Sequence, residues 1–141
     1  MKLGRLQVAC SLEKDSKRMT VNVIKAEDLP KSINGPPDPC VKITVEQNGK
    51  VQMKQSRTIK HSCTAVYKEA VMFLISVKPG DLEQIKVTMD VFNANRNEII
   101  GQAFLGTLAT DKSELDQWKS MLSGLGKEYK ATHYLKYPQD E

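Results

Sequence analysis

The chain has 141 residues and 15.8 kDa, with 21 Lys and Arg against 17 Asp and Glu, a formal charge of +4. Hydrophobic residues make up 40% and charged residues 27%, the balance of an average globular domain and not of a disordered or membrane-embedded chain. The length suits one core, no apolar run approaches the ~20 residues of a membrane span, and no apolar signal-peptide core follows Met1-Lys2-Leu3-Gly4-Arg5.

Leu6, Val8, Cys10 and Leu12 alternate with polar residues and predict a first strand. The polar turn Lys14–Arg18 leads into Met19–Ile24, so the first two strands read as a hairpin. Four of the six prolines lie between Pro30 and Pro39, which marks an exposed, stiff loop. Val41, Ile43 and Val45 alternate in a third strand. Asn48-Gly49 is a hairpin signal, because both residues tolerate positive φ, and Gln52 to Ile59 is expected as the returning fourth strand. Ala70–Ile75 reads as a fifth strand, Ile85 to Val91 as a sixth, Ile99–Leu108 as a seventh and Thr132–Tyr137 as the last. The turn formers Asn93–Asn97 separate the sixth from the seventh.

One helix is expected. Asp111 and Glu114 have capping-box spacing, Ser123-Gly124 stops the helix, and Leu115, Trp118, Met121 and Leu122 form the stripe expected to bury. Strands at regular spacing with one late helix predict an all-β, antiparallel β-sandwich. Cys10, Cys40 and Cys63 have no zinc or CxxC spacing, and three free thiols in a reducing compartment are expected.

The order of elements resembles a C2 domain, most of all the second, B-type C2 domain of the synaptotagmins. The residues carrying this are Gly4-Arg5-Leu6, Met19-Thr20-Val21, Lys25–Leu29, Asp38-Pro39-Cys40-Val41-Lys42-Ile43, Ile99-Ile100-Gly101, Gln117–Leu122 and Thr132–Leu135. The resemblance covers residues 4–137, leaving 1–3 and 138–141 as flanking tails. It implies an eight-stranded sandwich of C2 type I topology with one short helix before the last strand. It also implies three loops at one end that hold calcium in some members.

Carried over residue by residue, the family's loop carboxylates fall on Ser32, Asp38, Asn93 and Asn95, with Glu98 nearest to the last. Two of the five are carboxylates here. Calcium affinity depends on charged oxygens, so no cofactor is expected and calcium binding is expected to be lost. For Asp38 an ordinary alternative is capping the turn before Pro39.

The second family feature is a basic patch for anionic phospholipid and protein partners. Lys50, Lys54 and Lys60 share strand parity, opposite Met53 and Ile59. Lys42 on the neighbouring strand is expected on the same outward face. Arg57 has the other parity, and His61 extends the row. The competing reading is a solvated strand face whose lysines discourage edge pairing. Ile33 is the apolar residue placed for loop insertion into a bilayer; packing against the prolines is its alternative.

The function expected from the resemblance is a calcium-independent module of a synaptotagmin-like membrane-trafficking protein. It would bind anionic phospholipid weakly, bind protein partners, or both, at the cytoplasmic face of membranes or vesicles. The alternative is a protein-interaction or homo- or hetero-oligomerisation domain with no membrane role. No nucleophile triad, catalytic carboxylate pair or phosphate-binding glycine loop is legible, so an enzyme is not expected. The basic row lacks interleaved aromatics, so neither is nucleic-acid binding.

Overall fold

The computed structural model describes residues 2–139. Eight strands form two four-stranded antiparallel sheets. One contains β1 (Arg5–Glu13), β2 (Arg18–Glu27), β5 (Ala65–Leu74) and β8 (Tyr129–Tyr134), ordered β5-β2-β1-β8. The other contains β3 (Pro39–Gln47), β4 (Lys50–Gln55), β6 (Lys86–Asn93) and β7 (Glu98–Gly106), ordered β4-β3-β6-β7. The predicted sandwich is correct, and the helix α1 (Lys112–Ser123) precedes the last strand as expected.

Alternation sets the core. Leu6, Val8, Cys10 and Leu12 from β1, Met19, Val21 and Val23 from β2, Ile43 and Val45 from β3, and Val87, Met89 and Val91 from β6 are all buried between the sheets. Cys10, Cys40 and Cys63 are free thiols, and burial pushes the Cys10 thiol up to about 12.

Several strand ends differ from expectation, with β2 running on to Glu27 and β8 starting at Tyr129. β5 starts at Ala65, five residues earlier than the apolar run indicates, because Tyr67 and Phe73 point inward while Val66, Met72 and Leu74 face solvent. A half-exposed strand need not be continuously apolar. β4 stops at Gln55. Beyond it the Ser56 hydroxyl accepts the Val41 amide at 2.9 Å and donates to the Arg57 carbonyl at 2.8 Å, drawing the chain out of the ladder. β7 ends at Gly106. β8 ends at Tyr134, where the chain changes sheets: Leu135 donates to Gly4 at 2.9 Å, and Lys136 and Gln102 exchange backbone hydrogen bonds across to β7. A Cβ at Gly101 would lie 2.8 Å from the Leu135 Cβ, so the crossing needs a glycine there. The sequence also did not reveal the 3₁₀ turn Asp81–Gln84.

The helix packs Met121, Trp118 and Leu122 of the expected stripe inward, but adds two polar residues and leaves Leu115 out. Glu114, Gln117 and Met121 are its buried residues, while Leu115 is 50% exposed. Trp118 and Leu122 pack partly against the core. Polar residues take the inward face because β8 meets it with His133, which is fully buried. The His133 Nε2 lies 2.6 Å from the Gln117 Oε1 and its Nδ1 lies 2.8 Å from the Ser113 Oγ. Gln117 also donates to the Val8 and Tyr129 carbonyls at 3.0 and 2.9 Å, tying helix to sheet. Glu114 accepts the Phe104, Thr110 and Asp111 amides at 2.8, 3.0 and 3.1 Å and the Lys136 ammonium at 2.8 Å. The Asp111–Glu114 capping box is present as expected.

Candidate functional site

Three loops meet at one end of the sandwich. Loop 1 is residues 28–38, loop 2 residues 56–64 and loop 3 residues 94–97, and backbone bonds zip them together. Leu29 donates to Cys63 at 3.0 Å, Ser62 to Pro37 at 2.8 Å, and Ala94 to Asp38 at 2.9 Å.

The carried-over ligand positions do gather here, but their oxygens serve the loops themselves. The Asn93 Oδ1 accepts the Asp38 and Asn95 amides at 3.0 and 3.2 Å. The Asp38 Oδ1 accepts the His61 amide at 2.7 Å. Asp38 is therefore a cap, though of loop 2 and not of its own turn. Ser32 closes a four-residue turn with Gly35 through backbone bonds of 3.1 and 3.0 Å, and its Oγ accepts the Asn34 amide at 3.2 Å. Glu98 pairs with Arg96 at 3.2 Å, which puts a guanidinium beside the last ligand position. Asn95 is exposed in loop 3. Among the described residues no three His, Cys, Asp or Glu side chains are grouped to hold a metal ion.

The outward groups of this end are apolar and cationic. Ile33 is 98% exposed at the tip of loop 1. Lys31, Lys60 and Arg96, one from each loop, are exposed as well. Counting the three loops and Glu98, four Lys or Arg stand against three carboxylates. Of those carboxylates, Asp28 pairs closely with Arg5 and Glu98 with Arg96. Sequence reasoning missed Lys31 and Arg96, because they lie far apart in the chain and only the zipped loops bring them to one end.

Of the expected basic row, Lys50 and Lys54 share a face and Lys42 does not join them. A two-residue turn at Asn48-Gly49 pairs Gln47 with Lys50, so Ile43 sits opposite Lys54 and Lys42 opposite Gln55. Paired residues share a face. Lys50 and Lys54 thus lie on the core side of the sheet, at its rim, whereas Lys42 shares the outer face with Met53 and Val51. The expectation that Lys42 joins them is corrected by this register. Lys42 lies 3.8 Å over the Phe92 ring, and Lys54 lies 5.8 Å from that of Phe73. Lys50 and Lys54 are about 13 Å apart along the strand, and Lys60 lies beyond it in loop 2.

Arg57 is a clasp between the sheets. Its guanidinium donates to the Tyr67 and Val66 carbonyls at 3.0 and 3.1 Å and pairs with Glu69 at 3.0 Å. Gln52 continues the seam by donating to the Leu74 carbonyl at 2.6 Å and accepting its amide at 3.2 Å.

A sandwich of two four-stranded antiparallel sheets with three zipped loops at one end is the architecture of a C2 module, and the C2 domain family matches residues 17–121 of this chain. The chain belongs to the C2 domain family. Among proteins of known identity, human Synaptotagmin-2 is 33% identical over 99% of this chain and 34% of its own length. Synaptotagmin-B of Diplobatis ommata is 32% identical over 99% of this chain and 32% of its own. The chain thus spans about a third of these relatives. A C2 domain of RIM2 superposes with a TM-score of 0.73 at 17% identity, covering 96% of this chain and 99% of that one, a likeness of fold alone.

Proposed function

We propose that this chain is a calcium-independent C2 module of a membrane-trafficking protein, spanning residues 4–137 and docking weakly on anionic phospholipid through its loop end. The single observation that carries this is the inversion of that end. Its acceptor oxygens on Asp38 and Asn93 bond to loop amides, and its exposed groups include Ile33, Lys31 and Lys60, with Arg96 paired to Glu98. The donor set does not fit calcium. That ion takes six to eight oxygens at ~2.3–2.6 Å and gains affinity from their charge. Only Asp38 and Glu98 are carboxylates among the five positions, and Arg96 lies against Glu98.

Membrane-trafficking membership rests on the family and on the likeness to synaptotagmins, regulatory binding modules and not catalysts. On this reading the domain works at the cytoplasmic face of membranes or vesicles. Each Lys near an anionic surface contributes about 1 kcal/mol, so Lys31 and Lys60 give weak, salt-sensitive docking. Ile33 adds an apolar tip of the kind that enters the interface.

Co-sedimentation with phosphatidylserine vesicles tests this. Binding is expected to be equal in calcium and in EGTA. It is expected to weaken by about tenfold or more when Lys31 and Lys60 are both changed to Gln, at about 1 kcal/mol each. Binding that survives that change, or that requires calcium, would sink the reading. The alternative, a protein-interaction domain without a membrane role, draws on exposed Val51 and Met53 on one side of the β4–β5 rim and Met72 and Leu74 on the other. Absence of sedimentation in any buffer would favour it.

A further inference from the structure

Beside loop 1, a cavity of about 330 Å³ opens between the residues after Leu29, the junction of β6 with β7 and the segment that follows β8. Most of its wall is apolar, built from Leu3, Pro37, Ile99, Ile100 and Tyr137. Its polar lining is Lys31, Ser32, Asn93 and Glu98.

Two of those four are already occupied. Glu98 pairs with Arg96 at 3.2 Å, and the Ser32 Oγ accepts the Asn34 amide at 3.2 Å within its own turn. The other two are free to meet a ligand. Asn93 is 6% exposed, and its Oδ1 accepts the Asp38 and Asn95 amides at 3.0 and 3.2 Å. Those two bonds fix the orientation of the side-chain amide. They leave its Nδ2, without a hydrogen-bond partner among the described residues, as the polar group facing the cavity. That nitrogen is not sealed in the interior, where the Asn22 Oδ1 is the unpartnered buried side-chain atom, so an acceptor can reach it through the cavity. Nearly buried donors are normally satisfied. Lys31 is exposed and has no ion pair within 4.0 Å among the described residues.

We infer that this cavity binds a fatty acid as its anion, the carboxylate at Asn93 and Lys31 and the chain along Leu3, Ile99 and Ile100. Charge sets the head group. One unpaired ammonium beside one neutral donor matches a single negative charge, whereas a phosphate monoester at about −1.5 to −2 would bring more than Lys31 can meet. A carboxylate offers two acceptor oxygens, one for each donor, and both bonds are charge-assisted. The wall sets the rest of the molecule, because an apolar chain laid along it leaves water. The volume lies at the lower end of small-molecule sites, room for one chain of medium length and not for the paired chains of a phospholipid. The site takes a soluble ligand and does not rest on vesicle docking; its test contains no vesicles, so either reading can fail alone.

Titration calorimetry of the whole chain with decanoate, below its micelle concentration and in EGTA, is the experiment. One saturable site is expected. Asn93→Asp keeps an acceptor for the two loop amides but sets a carboxylate where the donor stood, and should weaken binding at least about tenfold. K31Q should weaken it severalfold, and K127Q, which removes an exposed charge outside the cavity, should leave it unchanged. Decanol, with the same chain and no carboxylate, should bind the unaltered protein at least about tenfold more weakly than decanoate. Thermal melts check that the variants fold, and the decanol comparison needs no variant. Absence of saturable heat would overturn the proposal. So would equal affinity in folded N93D, equal affinity for decanol, or a loss in K127Q as large as that in K31Q.

Discussion

The loop end and the α1–β8 seam both use side-chain oxygens to hold backbone amides, but at very different depths. At the seam, Glu114 is fully buried and accepts three amides and the Lys136 ammonium. At the loop end, Asp38 accepts the His61 amide and Asn93 two amides, beside solvent-exposed loops. The same chemistry is therefore buried beneath a helix in one place and, in the other, closes the loops on one another. Depth decides the energy: an uncompensated buried charge costs far more than a lost surface hydrogen bond.

The largest expected effect follows at the seam. Glu114→Ala orphans three amides and leaves Lys136 only its longer contacts to Asp111 and Thr110, both at 3.3 Å, and should cost about 3 kcal/mol or more, read by urea denaturation. A cost below about 1 kcal/mol, the size of one ordinary hydrogen bond, would break the contrast with the loops. The same seam predicts acid sensitivity. Burial of the His133 ring lowers its pKa below the ordinary value of about 6.5, so the unfolded chain takes up the proton first. Stability is then full above about 6.5 and declines as pH falls below it. Burial alone would raise the Glu114 pKa, but Lys136 and the amides of Thr110, Phe104 and Asp111 outweigh it and hold it below its usual value. Its contribution is present above the ordinary carboxylate value and is lost as pH falls through the lowered one. Urea midpoints measured from pH 8 downward check both, and a flat profile between about pH 7 and 5 would contradict the account of His133.

A smaller effect is expected from restoring the loop charges. The triple substitution S32D/N93D/N95D keeps an acceptor oxygen at position 93 and returns the carboxylate count to five. It should gain a calcium-dependent rise in stability of roughly 2 kcal/mol at saturating metal. No gain would show that loop length, and not charge, removed the site. The smallest effect is Asn93→Ala, which loses two partly exposed amide partners. It should cost about 1 kcal/mol by thermal melt while leaving the sandwich intact.

How much was legible in the sequence follows the same division between repeated pattern and long-range meeting. Period-two alternation placed β1, β3 and β6, the Asn48-Gly49 turn placed β4, an apolar run placed part of β5, and the capping box placed the helix. Loops 1 and 3 were located, since turn formers mark them, but loop 2 was read as the end of the fourth strand. What alternation could not show was which strand face was inward at an edge. The Lys42 error came from parity: a two-residue turn pairs each odd residue of β3 with an even one of β4, so Lys42 and Lys54 fall on opposite faces. The helix stripe was incomplete for a different reason. An apolar stripe is the usual inward face, but here Glu114 and Gln117 turn inward because His133 and Lys136, some 16 and 22 residues later, supply their partners. Lys31 and Arg96 were illegible at the loop end for the same cause, as each comes from a different loop.

Calorimetric titration of the chain with calcium tests the central claim most directly. The inward-turned oxygens of Asp38 and Asn93 and the Arg96–Glu98 pair predict no saturable heat at micromolar calcium. A saturable micromolar response would contradict it and return the loop end to the calcium-binding members of the family.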